Sequence, residues 1–82
     1  MMNTIPLLRI INSQGYGEAI VFKLAQAADI LGMSYDEIVV ESTEGRIYTK
    51  KFSNEKTQWR ITVRAILEYV ERAKIFTKDD DE

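Results

Sequence analysis

The sequence predicts a small, mainly α domain carrying one β-hairpin, in the order helix, turn, helix, two-stranded hairpin, helix. Three observations predict it. Apolar residues recur at helical spacing over residues 20–31 and again over 63–70. The string Ser34-Tyr35-Asp36-Glu37, just after Gly32, has the form of a capping box. Two short β-prone runs, 47–52 and 59–61, are separated by the polar residues 53–58. Size sets the outer limit. A chain of 82 residues makes one domain and buries only about 60–65% of its unfolded surface, too little for a large core with a deep substrate cleft.

Residues 1–17 are the hardest to place. Ile5, Leu7, Leu8, Ile10 and Ile11 are apolar enough to join a core, but Pro6 opposes a helix interior and residues 13–17 read as a turn. An extended or loop segment is expected there, with the folded domain over 18–76 and an acidic, disordered tail over 77–82.

From Glu18 the apolar period becomes helical. Ile20, Leu24, Ala27, Ala28 and Leu31 share a face, and Gly32 is placed to end the helix in a left-handed conformation. The Ser34 hydroxyl can accept from the Glu37 amide while the Glu37 carboxylate reaches back to the Ser34 amide. Asp36 adds negative charge where the helix dipole favours it. A second helix is therefore expected from about Tyr35 to Gly45, at helix–turn–helix spacing from the first. The β-branched triplet Ile38-Val39-Val40 argues for a different pairing, a hairpin of 37–43 with 46–52 around Glu44-Gly45. The capping box and the tight turn at 32–34 favour the helix.

After Gly45, Ile47, Tyr48, Thr49 and Phe52 read as a strand, and Trp59-Arg60-Ile61 as its return. Thr62 then caps an amphipathic helix. Val63, Ile66, Leu67 and Val70 face inward, and Arg64, Glu68, Glu71 and Arg72 face out.

Composition removes several functions. With no cysteine and no histidine, disulfides, a thiol nucleophile, a Cys/His zinc site and histidine acid–base chemistry are excluded. The longest apolar runs are four residues, 5–8 and 19–22, against the roughly 20 that a membrane span needs. No basic region precedes the first of them, so no signal peptide is read, and the cytoplasm of a bacterium or its mobile elements is the expected compartment. Charge is segregated rather than uniform. The chain carries a net −2, yet residues 18–44 hold −5, residues 46–64 hold +5, and residues 79–82 hold −4. Such blocks bear on partner choice, although small solvated proteins also show them by chance.

The residues from Leu24 to Ser34, Leu-Ala-Gln-Ala-Ala-Asp-Ile-Leu-Gly-Met-Ser, resemble the opening helix and turn of the excisionase-like, MerR-related winged helix–turn–helix domains. The interval from Gly32 to Gly45, followed by Arg46 and Ile47, is similar to the family's spacing for recognition helix and first wing strand. Trp59-Arg60-Ile61, with Ile66-Leu67 and Tyr69-Val70, resembles the closing strand and helix. The resemblance covers about residues 22–72 and implies a DNA-binding domain with a two-stranded wing. The chain departs from the family at its recognition helix, where Val40 stands in a position commonly taken by arginine. Asp36, Glu37, Glu41 and Glu44 surround it. Carboxylates repel phosphates, and base readout normally uses Arg, Lys, Asn or Gln.

Each candidate site has an ordinary alternative. Arg46, Lys50, Lys51, Lys56, Arg60 and Arg64 are the candidate phosphate contacts, the alternative being a solvated hairpin whose lysines protect an edge strand. Tyr35 and Thr43 are candidate hydroxyl contacts on the second helix. The resemblance implies that Trp59 belongs to the core, packed against the first and last helices, rather than serving as a base-stacking platform. Tyr16, between two glycines, reads equally as a partner anchor or as a loop residue. Asp36, Glu37 and Glu41 on one helix face could hold a divalent cation, but acidic runs of this kind are usually solvated.

The expected function is that of a small, non-enzymatic protein binding double-stranded DNA, without metal or cofactor. The resemblance implies a role in recombination directionality or in transcriptional control of a mobile element, through a homodimer or a cooperative multimer on DNA. The alternative is a protein-interaction module. In it Asp36, Val39, Val40, Glu41 and Glu44 dock a recombinase or another basic nucleic-acid-handling protein.

Overall fold

The structure is a computed structural model that describes residues 4–73. It is a small, mainly helical domain with four α-helices and one three-stranded antiparallel sheet. The tail expected over 77–82 lies outside the described residues.

The N-terminal segment is a helix, α1 (Thr4–Ile11), and not the extended stretch that Pro6 implies. Pro6 falls in the first turn, where backbone amides have no intrahelical acceptor to lose and the fixed proline φ suits the helix. Ile5 and Leu8 are buried, and α1 lies against the last helix of the chain. A wide, π-type turn (Asn12–Tyr16) carries the chain to Gly17. A Cβ on Gly17 would sit 1.9 Å from Asn12 Oδ1 and 3.4 Å from Arg64 Cβ, so a larger residue would displace the Asn12 side chain.

The first helix of the central unit starts later than the periodicity implies. Residues 17–20 run against the C-terminal part, with the amides of Val63 and Arg64 donating to the carbonyls of Ile20 and Gly17. The chain then forms β1 (Val21–Lys23), and α2 (Leu24–Leu31) follows directly. Ile20 is exposed rather than on the buried helix face, while Leu24, Ala27, Ala28 and Leu31 are buried as their spacing implies. Gly32 ends α2 at φ +72°, the left-handed cap. Three residues later α3 (Tyr35–Thr43) begins. Its capping box is formed on both sides, by Glu37 N donating to Ser34 Oγ at 3.1 Å and by Ser34 N donating to Glu37 Oε1 at 2.8 Å. The β-branched triplet is helical. Ile38 is fully buried, Val39 half-buried and Val40 exposed.

The sheet is larger than a two-stranded hairpin, and its second strand is shorter than expected. β2 is only Lys50–Lys51, β3 is Trp59–Thr62, and the order is β1-β3-β2. Val21, Phe22 and Lys23 face Thr62, Ile61 and Arg60, and Lys50 and Lys51 face Arg60 and Trp59. Thr62 closes β3 by accepting from the Ala65 amide at 3.0 Å, which starts α4 (Val63–Ala73). Val63, Ile66, Leu67 and Val70 of α4 are buried, and Arg64, Glu68, Glu71 and Arg72 are exposed. One core joins all four helices and the inner sheet face, with Ile38, Ile47, Ile61 and Ile66 at its centre. Among the described residues no helix is long and apolar enough to cross a membrane.

Candidate functional site

The sheet register places three cations side by side. Lys23 of β1 pairs with Arg60 of β3, and Arg60 pairs on its other side with Lys50 of β2. Residues directly opposite in a sheet project to the same face, so Lys23, Arg60 and Lys50 form a row across all three strands. Like charges placed opposite one another weaken a sheet. None of the three has an ion-pair partner among the described residues. Arg60 is further held in place, its Nη1 donating to the carbonyls of Thr57 at 2.7 Å and Trp59 at 2.9 Å.

Trp59 organises the rest. It belongs to the core, 7% exposed, so its ring has no face open to a base. Its indole Nε1 donates to the Ser53 carbonyl at 2.8 Å and ties the β2–β3 connection down. That connection runs through a short 3₁₀ turn (Lys56–Gln58) into β3. The ammonium groups of Lys51 and Lys56 lie 5.0 and 5.3 Å from the Trp59 ring centroid, within cation–π range. The tryptophan thus holds both lysines near the sheet, and neither has an ion-pair partner among the described residues. Lys56 reaches one further group, a small cleft of about 150 Å³ that it lines with Lys23, Tyr35 and the first residues of α2.

The end of α3 is arranged differently. Arg46 is bound by two carboxylates. Its Nε and Nη2 donate to Glu41 at 2.8 and 3.1 Å, and its Nη1 donates to Glu44 at 2.8 Å. Arg72 of α4 donates to the Arg46 carbonyl, so the clamp joins the loop after α3 to α4. The Arg46 guanidinium holds the Glu41 carboxyl below its ordinary range, and Arg46 is itself raised by both carboxylates. Burial, and then the nearby Glu41, pushes the Tyr69 phenol up.

The structure therefore brings together Lys50, Lys51, Lys56, Arg60 and Tyr35, and adds Lys23. Thr43 is exposed at the other end of α3 from Tyr35. Arg46 is in the clamp, and Arg64 sits on α4, its Nη1 3.7 Å from Glu18. Of the acidic set, Asp36, Val40 and Glu41 line a groove of about 510 Å³ with Leu31, Met33 and Tyr69. Val39 packs against the core and Glu44 faces Arg46. No three acidic side chains among the described residues converge on a cation site.

Lys23 escaped sequence reading because it lies in the acidic half of the chain, and the pairing that recruits it spans almost forty residues. The run Ile20-Val21-Phe22 just before it was the available signal, being β-prone. Against known proteins, no family model, no curated protein and no solved structure matches this chain.

Proposed function

We propose that the chain binds the phosphate backbone of double-stranded DNA through the outer sheet face, as a winged helix–turn–helix domain of the excisionase type. The observation that carries this reading is the row Lys23–Arg60–Lys50, with no ion-pair partner among the described residues; Lys51, opposite Trp59, projects from the other face. A row of like charges costs stability unless an anion offsets it, and a polyphosphate strand does so while releasing counterions. The order α2, turn, α3, β2, β3, α4 supports the same reading. In this arrangement the β2–β3 hairpin is the wing, Tyr35 lies beside it, and the acidic α3 contributes little to groove readout. The physiological task on this reading is architectural, in recombination directionality or at a mobile-element promoter.

The decisive experiment is anisotropy of a labelled random-sequence duplex across a salt series. Micromolar binding that falls steeply with salt is expected. Absence of binding at low salt would reject the reading.

A second reading is favoured by a separate observation, the mixed groove that sets Leu31, Met33 and Val40 beside Asp36, Glu37 and Glu41, with Val40 exposed at 46%. It fits a basic amphipathic helix of a nucleic-acid-handling protein, such as a recombinase. Val40→Lys should then abolish capture of the partner while leaving duplex binding intact.

A further inference from the structure

Of the described aromatic side chains outside the core, two stand furthest into solvent. Tyr48 and Phe52 are 62% and 67% exposed, the highest values among the exposed large hydrophobics described. They bracket β2, so residues 48–52 read Tyr-Thr-Lys-Lys-Phe. Protection of an edge strand accounts for the two lysines, but bare aromatics on that edge work against it. Tyr48 also lines an open cleft of about 730 Å³, together with Ile47, Lys51 and Arg72. Ser42 lines the same cleft, and its buried hydroxyl has no hydrogen-bond partner among the described residues. A buried polar atom left without a partner is costly, which marks it as a group that awaits a ligand or water.

Aromatic faces interleaved with cations are the chemistry that binds a nucleic-acid strand whose bases are unstacked. A duplex hides its base faces and offers an aromatic ring little beyond phosphates and groove edges. We infer that the 48–52 segment and its cleft bind unpaired nucleotides. Bases stack on Tyr48 and Phe52, phosphates meet Lys50 and Lys51, and the Ser42 hydroxyl meets the edge of a base entering the cleft. This rests on the reading of the sheet as a nucleic-acid surface and narrows the ligand to strands with exposed bases, as in a melted or gapped site.

The test compares two probes in anisotropy at one low salt concentration, an oligothymidine of about 15 nucleotides and a duplex of the same length. The wild-type chain is expected to bind the single strand more tightly. Tyr48→Ala/Phe52→Ala should weaken single-strand binding roughly tenfold or more and duplex binding less than about threefold. Both side chains are exposed, so the fold should survive, which a thermal melt checks. Equal losses on both probes, or duplex binding without single-strand binding, would overturn the inference and leave the backbone reading standing. If the wild type binds neither probe, both fall together.

Discussion

Arg46 and Lys23 carry the same charge, and the fold treats them in opposite ways. Arg46 commits its guanidinium to Glu41 and Glu44 and fastens the end of α3, while Lys23 is set in line with Arg60 and Lys50 with no carboxylate paired to it among the described residues. Along the sequence the reverse looks true, since Arg46 opens the basic stretch and Lys23 lies within the acidic one. The difference teaches that a charge count along a chain measures supply. Pairing decides what is left for a partner.

The contrast can be broken most severely by reversing the sheet's charge. Lys50→Glu/Lys51→Glu should weaken duplex binding by roughly a hundredfold, measured by anisotropy, because two phosphate contacts become repulsions. Unchanged binding would remove the sheet from the interface. A sharper version removes one positive charge from each region. Lys23→Ala should weaken binding several-fold and reduce the salt slope by about 1. Arg46→Ala should instead lower the melting temperature and leave the salt slope as it was, since its charge is already paired. Ser34→Ala removes the α3 cap and should cost about 1 kcal/mol in denaturant unfolding, with no effect on binding.

The smallest effect is in pH. Glu41 is held below its ordinary value, so the folded state binds its proton less readily than the unfolded chain. Its contribution is fully present above pH 4.5 and is lost as pH falls through the folded value. Tyr69 has the opposite sign, raised chiefly by burial, and loses its contribution as pH rises beyond 10. Glu41→Gln should flatten the acid limb of a melting-temperature series and leave the duplex affinity near neutrality unaltered.

What was legible in the sequence was local. The Ser34–Glu37 box, the Gly32 cap, the Thr62 cap and the buried stripe of α4 each depend on residues within a few positions of one another, and each stands as read. Trp59 was expected in the core from the family resemblance, and it is buried. What depended on distant partners was not legible. β1 exists because residues 21–23 find 60–62, and Ile20 leaves the helix face for the same pairing. Pro6 was weighed as a breaker when its place in the first turn made it harmless. Most of the lysine cluster was visible as a basic stretch. Its arrangement into a row, and the capture of Arg46 by α3, required the fold.

Strand order has a consequence for how the molecule assembles. β3 is the last of the three strands in the chain and the only one bonded to both others. Neither β1 nor β2 can pair until it arrives, so during synthesis the first three helices can form early while the sheet waits for residues beyond 59 to leave the ribosome. Pairings of such sequence separation set the pace of folding for small domains. A nascent chain stopped before Trp59 would hold the residues of α1, α2 and α3 with their acidic groups but could not align Lys23 and Lys50 with Arg60.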